Sequence, residues 1–214
     1  MTVGERERAL IAPPGGILRV RAVVMDGDDV RRATWRIAHE IIERNHGAQG
    51  LVLIGLQTGG AWVASALAEV IRSVAEVDVP VGTLDVAYYR DDIGLRPVVP
   101  AAPTEIPVEV DGAVVVLCDD VLFTGRTVRA ALNALYDHGR PAAVQLAVMV
   151  DRGHRELPVR PDYVGKNLPT RRDEVVDVSE EGVVLGEMGP AGFETPAAGP
   201  PMAGAPATGP GGQS

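Results

Sequence analysis

Two adjacent carboxylates, Asp119 and Asp120, follow the apolar run Val114–Cys118 and precede a loop containing Thr124, Gly125 and Thr127. A buried strand would deliver both acids to its C-terminal end, where open α/β sheets bind ligands. Carboxylates repel phosphate but suit the vicinal hydroxyls of a sugar, directly or alongside Mg²⁺. The threonine hydroxyls and the free N–H groups of the following helix can hold a phosphate. Gly125 lets the backbone approach that ligand closely. An acidic pair alone also reads as a helix cap with solvated charge. Its continuation into Thr124-Gly125-Arg126-Thr127 favours a site for a phosphorylated sugar.

A second strand–loop–helix pattern, LIGLQTGGAWVA, spans Leu53 to Ala64. Its loop, Thr58-Gly59-Gly60, can offer backbone N–H groups to a pyrophosphate. By itself it is an ordinary turn; together with the first motif it reads as the other half of one site. No GxxxxGK[ST] and no strand–GxGxxG–helix unit is present. Asp119, Asp120, Thr124, Gly125, Thr127, Thr58, Gly59 and Gly60 are therefore the candidate ligand-binding residues.

A third cluster is basic. Between residues 152 and 172 lie six cations, Arg152, Arg155, Arg160, Lys166, Arg171 and Arg172, against Glu156 and Asp162, with His154 as a further donor. Such a segment is either a phosphate-binding face for RNA or a solvated loop. Tyr163 is its one aromatic residue able to stack on an unpaired base. Arg31, Arg32 and Arg36 read as solvated surface beside Asp28, Asp29 and Glu40. His39-Glu40 begins an HExxH-like string, but position 43 is Glu, so the second zinc ligand is missing. Trp35 and Trp62 read as packing residues.

The elements that must position these groups alternate. Ile17–Met25 reads as extended, and Asp26 caps a helix running to about Asn45. Leu51–Leu56 is a buried strand, Gly60–Val74 a helix, and Val79–Tyr88 a strand. A polar, proline-rich stretch from Tyr89 to Val110 reads as a functional lid or a hairpin with a disordered tip. Val114–Cys118 is the central strand, Arg126–His138 a helix, and Ala142–Val150 another strand. Apolar strands alternating with helices imply an α/β fold with a mostly parallel sheet covered on both faces. Residues 1–18 are expected to be a flexible arm, 19–188 the folded domain, and 189–214, rich in Gly, Pro and Ala, a disordered tail.

The 214 residues carry a net charge of −9, which argues against generic coating of nucleic acid but leaves room for a local basic patch. Hydrophobic residues make up 46% and aromatics 4%, so the core is built from Val, Leu, Ile and Ala. Cys118 is the only cysteine; it reads as a core residue in a reducing, cytoplasmic compartment. No signal peptide and no membrane span is expected.

DDVLFTGRT resembles the PRPP-binding signature of type I phosphoribosyltransferases. Together with IAHEIIERN (Ile37–Asn45), DVAYYRDD (Asp85–Asp92) and DRGHRELPVRPDYVGKNLP (Asp151–Pro169), it closely resembles the PyrR family over about Val20 to Glu187. These are bifunctional pyrimidine operon regulators with uracil phosphoribosyltransferase activity. The resemblance implies a type I fold with a small hood and a flexible lid, Mg²⁺ entering with PRPP, and conversion of uracil and PRPP to UMP and pyrophosphate. It further implies UMP or UTP as signal, pyrimidine-operon leader mRNA as partner, and a homo-oligomer. Asp119 and Asp120 would hold the ribose hydroxyls near the metal, and Val121–Thr127 the 5′-phosphate. Thr58–Gly60 and Arg90 would face pyrophosphate. Val150, Arg152, Tyr163 and Val164 would lie where the hood meets the base. Purine transferases usually carry an acid where this chain has Phe123, which favours a pyrimidine.

One departure matters. The family's pyrophosphate loop usually has Arg just after its Thr, often with Lys just before it; here these are Gly59 and Gln57. Charge-assisted hydrogen bonds contribute about 1.5–3 kcal/mol each. Their loss predicts transfer weakened by roughly one to three orders of magnitude. Two readings stay open: a working transferase that also regulates, or an RNA-binding nucleotide sensor with little or no catalysis.

Overall fold

The computed structural model describes residues 16–57, 59–86 and 103–190. The chain enters as strand β1 (Gly16–Asp26) and turns into helix α1 (Gly27–Arg44) through a reciprocal cap. Asp26 Oδ1 accepts from Asp29 N at 2.8 Å, and Asp29 Oδ2 accepts from Asp26 N. Strand β2 (Leu51–Leu56), helix α2 (Gly60–Ala75) and strand β3 (Val81–Leu84) follow. Strand β4 (Val114–Leu122), helix α3 (Arg126–Tyr136) and strand β5 (Ala143–Asp151) complete the second βαβ unit. The chain ends in β6 (Tyr163–Asn167), β7 (Glu174–Ser179) and β8 (Gly182–Pro190).

Five strands form a sheet in the order β3-β2-β4-β5-β6, every pair parallel. Alternate residues of its central strands feed two different cores. Leu51, Leu53, Val116 and Cys118 pack under α1 and α2, while Val52, Ile54, Leu56, Val115 and Leu117 pack under α3. Strands buried on both faces must be apolar throughout, which is why they read as continuous runs. From β2 the chain winds towards β3, and from β4 it winds the other way to β5. The switch point therefore lies between the C-terminal ends of β2 and β4.

A second sheet, β1-β8-β7, is antiparallel. It is the hood expected from the resemblance, and a third cluster fastens it to the main domain. In that cluster Met25, Val178 and Val183 meet Met149 and Val150, with Trp62 packed alongside. Pairing reaches Gly16 and Pro190, so residues 16–18 and 189–190, expected in the arm and tail, belong to this sheet.

Several boundaries differ from expectation. The third strand is Val81–Leu84 rather than Val79–Tyr88: Asp85 N turns to Thr104 Oγ1 at 3.0 Å instead of a ladder partner. Residues 87 and 88 lie outside the described ones. Helix α3 stops at Tyr136, because Asp137 N and His138 N bond to the carbonyls three residues back, a tighter turn than the α-helix. Strand β4 continues past Cys118 because β5 keeps pairing with it to Leu122↔Asp151. Trp35 is 48% exposed, its ring tilted against His39, and is not a core residue. Cys118 is buried as expected, and burial pushes its thiol pKa up.

Candidate functional site

The extension of β4 sets the site. Asp119 and Asp120 stand on the strand itself, and each side chain folds back onto the next peptide. Asp119 Oδ1 accepts from Asp120 N at 3.0 Å, and Asp120 Oδ1 from Val121 N at 2.7 Å. Asp119 is buried and Asp120 half-buried.

Helix α2 meets this strand through two glycines. A Cβ at Gly60 would overlap the Cys118 carbonyl and lie 3.0 Å from Asp119 Cα. A Cβ at Gly59 would overlap the Asp120 carboxylate, with Oδ1 at 2.6 Å and Oδ2 closer. The loop after β2 and the acids of β4 are thus in direct contact across the switch point. Gly59 is also the N-cap of α2 and offers no side-chain cap, and Gly125, at φ 92°, starts α3 in the same way. The positive φ at Gly125 is one that glycine adopts without strain. Two helix N-termini therefore follow the C-terminal ends of the adjacent parallel strands β2 and β4, and helix N-termini favour anions.

Burial pushes the Asp120 carboxyl pKa up, and Asp177 on the hood strand β7 adds to the rise; the N–H groups around it oppose this. A raised folded-state pKa means that ionisation costs more in the folded than in the unfolded chain. The destabilisation is absent below the unfolded value and develops as pH rises through the folded one. Asp120→Asn is therefore expected to melt higher than the native chain at neutral pH, with the gain fading in acid. Melting curves across pH check this; an Asn variant that melts lower at neutral pH contradicts it.

The loop after β4 is clamped by the segment after β5. Thr124 O accepts from Glu156 N at 3.0 Å and from Leu157 N at 3.2 Å. Arg155 donates to Phe123 O at 2.7 Å and to Asp151 Oδ2 at 2.6 Å. Arg126 pairs with Glu156 at 2.9 Å. Thr124 Oγ1 accepts from Arg126 N, and both Thr124 and Thr127 stay partly exposed. Thr58 and Arg90, as well as most of the expected lid, lie outside the described residues.

Beside the loop, the Arg152 guanidinium sits 4.3 Å above the centre of the Phe123 ring, and His154 meets that ring edge-on at 5.6 Å. Arg152 also donates to Thr170 Oγ1 and Arg171 O. His154, itself at φ 60°, donates to Thr170 O at 2.7 Å. A cavity of about 350 Å³ opens here, lined by Asp151, Arg152, Gly153, His154, Asn167, Pro169 and Thr170.

The sheet register sorts the residues expected at the base. Val150 stands level with Val121, and Val164 with Val148 and Asp119. Both lie in the parallel sheet, not in the hood, which is built from β1, β7 and β8. Tyr163 starts β6, level with Ala147 and Cys118, and points into the core under α1. Its hydroxyl donates to Gln145 Oε1 at 2.8 Å, beside Asn45, and burial pushes the phenol pKa up. It lines no part of the cavity and is not exposed for stacking on RNA.

The basic segment is similarly divided. Arg152 is buried and Arg155 is committed to the clamp. Arg171 is exposed but paired with Asp173, Glu174 and Glu187, and Arg172 with Glu156. Arg160 and Lys166 are exposed and form no ion pair among the described residues. Arg36, expected to be solvated, reaches from α1 to the carbonyls of Val164 and Gly165, at 3.0 and 2.7 Å. Asp177 is a site neighbour that sequence reasoning missed, because nothing local relates position 177 to position 120.

A parallel sheet with this order, two glycine-bearing turns at its switch point and an antiparallel hood define a type I phosphoribosyltransferase. Residues 26–181 match the phosphoribosyl transferase domain family. The fold is shared with hypoxanthine phosphoribosyltransferases of known structure. That of Trypanosoma cruzi is 19% identical with a TM-score of 0.62, over 78% of this chain and 97% of that one. That of Staphylococcus aureus is 19% identical with a TM-score of 0.60, over 81% and 96%. Similarity in sequence is much higher to the bifunctional protein PyrR of Geobacter sp. strain M21, 54% identical over 73% of this chain and 89% of that protein. With PyrR of Streptomyces coelicolor the identity is 57% over 72% and 81%. The chain belongs to the PyrR family of phosphoribosyltransferases. Among its described residues, no helix is long and apolar enough to cross a membrane.

Proposed function

We propose that the protein converts uracil and PRPP to UMP and pyrophosphate, and regulates pyrimidine genes by binding their leader mRNA in response to UMP or UTP. The observation that carries the first activity is the contact between the Gly59–Gly60 turn and the Asp119–Asp120 pair. It supports a reading in which pyrophosphate lies on the α2 side, and the 5′-phosphate on the α3 side, of carboxylates suited to ribose hydroxyls. In the transfer, the bond from the anomeric carbon to pyrophosphate oxygen breaks and its electron pair leaves with pyrophosphate. Uracil nitrogen then takes the carbon and releases its proton. The sugar passes through an oxocarbenium-like state, so the chain's task is to align the reactants and neutralise the leaving group.

Asp119 and Asp120 hold the ribose hydroxyls, Thr124 to Thr127 the 5′-phosphate, and the cavity beside Phe123 receives the base. No cluster of three or more His, Cys, Asp or Glu side chains among the described residues could hold a metal. Asp119 and Asp120, as hard oxygen donors at the end of β4, would be the residues beside Mg²⁺ entering with PRPP. When bound it would supply positive charge to the pyrophosphate.

For RNA, Arg160 and Lys166 are the cations free to meet phosphates, with Arg172 available once it leaves Glu156. The missing loop cation and the carboxylate above Gly59 favour a protein whose binding role outweighs its turnover. A uracil-plus-PRPP assay, followed by RNA mobility shifts at several salt concentrations with and without UMP, tests both halves. We expect slow but measurable UMP formation and salt-sensitive, nucleotide-dependent RNA binding. No UMP formation would remove the enzyme; failure to bind a pyrimidine-operon leader at low salt would remove the regulator.

A further inference from the structure

We propose that Arg152, with His154 beside it, is a positioning residue that braces Phe123 against Thr170, so that the 5′-phosphate loop and the rim of the base-side cavity keep one fixed spacing. The inference rests on the reading of the site given above and deepens it.

Both side chains reach the same two points. The Arg152 guanidinium covers the face of the Phe123 ring at 4.3 Å, and the His154 ring meets its edge at 5.6 Å. At the other end, Arg152 Nε donates to Thr170 Oγ1 at 3.0 Å and His154 Nε2 to Thr170 O at 2.7 Å. Arg152 adds a bond to Arg171 O at 2.8 Å. Phe123 belongs to the loop after β4, whereas Thr170 lines the cavity and leads towards the hood. One residue on, Arg171 N donates to Glu174 Oε2 at 2.6 Å, at the start of β7.

Arg152 is 7% exposed, and Glu174, itself buried, favours its charge from nearby. Burying a cation is costly. Here its donors go to neutral oxygens and its plane to an aromatic ring, so the guanidinium is placed by shape as much as by charge. Lysine, a point charge without a plane, cannot make those contacts together.

The backbone of the phosphate loop is held separately. Phe123 O accepts from Arg155, and Thr124 O from Glu156 N and Leu157 N. The brace therefore does not keep the loop folded; it sets where the loop stands relative to Thr170. UMP spans both sides through one ribose, so its affinity depends on that spacing. Ribose 5-phosphate occupies the loop side alone and makes no such demand.

Calorimetric binding of UMP, with ribose 5-phosphate measured by competition against it, tests this well below each variant's melting temperature. The chains compared are the native one, Arg152→Lys, Phe123→Leu, Phe123→Tyr and the Arg152→Lys/Phe123→Leu double variant. Arg152→Lys and Phe123→Leu are each expected to weaken UMP by about tenfold, the scale of a desolvated cation–ring contact, and to leave ribose 5-phosphate nearly unchanged. The double variant should bind UMP no more weakly than either single one, since both break the same brace. Phe123→Tyr, which keeps the ring, should bind UMP like the native chain. Additive losses overturn the inference, because Arg152 would then not act through Phe123. So does a lowered Tm with native UMP affinity, or an equal loss of both ligands, the marks of packing alone. If Arg152→Lys does not fold, Phe123→Leu with native UMP affinity overturns it equally. A native chain that binds no UMP overturns the functional reading together with it.

Discussion

Alanine at Gly60 is expected to destabilise the protein and abolish turnover together. The added methyl would overlap the Cys118 carbonyl, and it would also crowd Asp119 Cα. Neither neighbour is a flexible side-chain tip; both are backbone of β4, which pairs with β2 on one side and β5 on the other. The strand cannot yield, so α2 must lift. Overpacking of this kind costs about 1–3 kcal/mol and occasionally more. For a domain of this size that lowers Tm by roughly 2–12 °C at about 2–4 °C per kcal/mol. The catalytic effect should be larger than the stability effect, because lifting α2 separates the Gly59–Gly60 turn, proposed to face pyrophosphate, from the acids of β4. Misplacement by about 1 Å can cost a hundredfold in rate. Thermal melting and steady-state kinetics on Gly60→Ala check both parts. A variant with native Tm and native kcat/KM would show that α2 does not rest on β4 as described.

Removing the Asp119 carboxylate should have the other large effect, and an opposite signature. Asp119→Ala takes away the acceptor of Asp120 N and the group proposed to bind ribose hydroxyl. Hydrogen bonds to a charged acceptor contribute about 1.5–3 kcal/mol each. Losing those to the sugar and loosening Asp120 predicts kcat/KM for PRPP lower by about two orders of magnitude or more. Affinity for UMP, which carries the same ribose, should fall with it. The fold should survive, since the Val116, Leu117 and Cys118 side chains that fill the two cores are untouched. Kinetics and UMP binding on a folded Asp119→Ala decide the matter; near-native UMP affinity would take Asp119 out of the ribose site.

Much of this protein is written locally. The runs Leu51–Leu56 and Val114–Cys118 announce doubly covered strands, and the Asp26/Asp29 cap announces the start of α1. Motif order alone places Asp119 to Thr127 at a strand end facing a helix N-terminus. Less legible were the strands after β5. EVVDVS and GVVLGEMGP are separated by Glu180 and Glu181, which lack the Asn-Gly or Asp-Gly signature of a favoured hairpin turn. The hood sheet also takes in β1, more than 150 residues away in sequence, as the pairing of Arg19 with Glu187 shows. No local pattern reports such a partner.

By itself, the sequence determined the fold class and the family, because periodicity and motif spacing act over a few residues. The tertiary structure alone decided which charges are available. Arg152 and Tyr163 look alike in sequence to exposed contact residues, yet burial commits one to Phe123 and the other to Gln145. Arg155 and Arg172 are positive in sequence but already paired in space. Gly59 reads in sequence as a lost cation, and only the packing of α2 on β4 shows that a carboxylate has taken the vacated volume. Charge in a folded protein is a property of neighbours, and neighbours across a sheet are set by register and packing rather than by spacing along the chain.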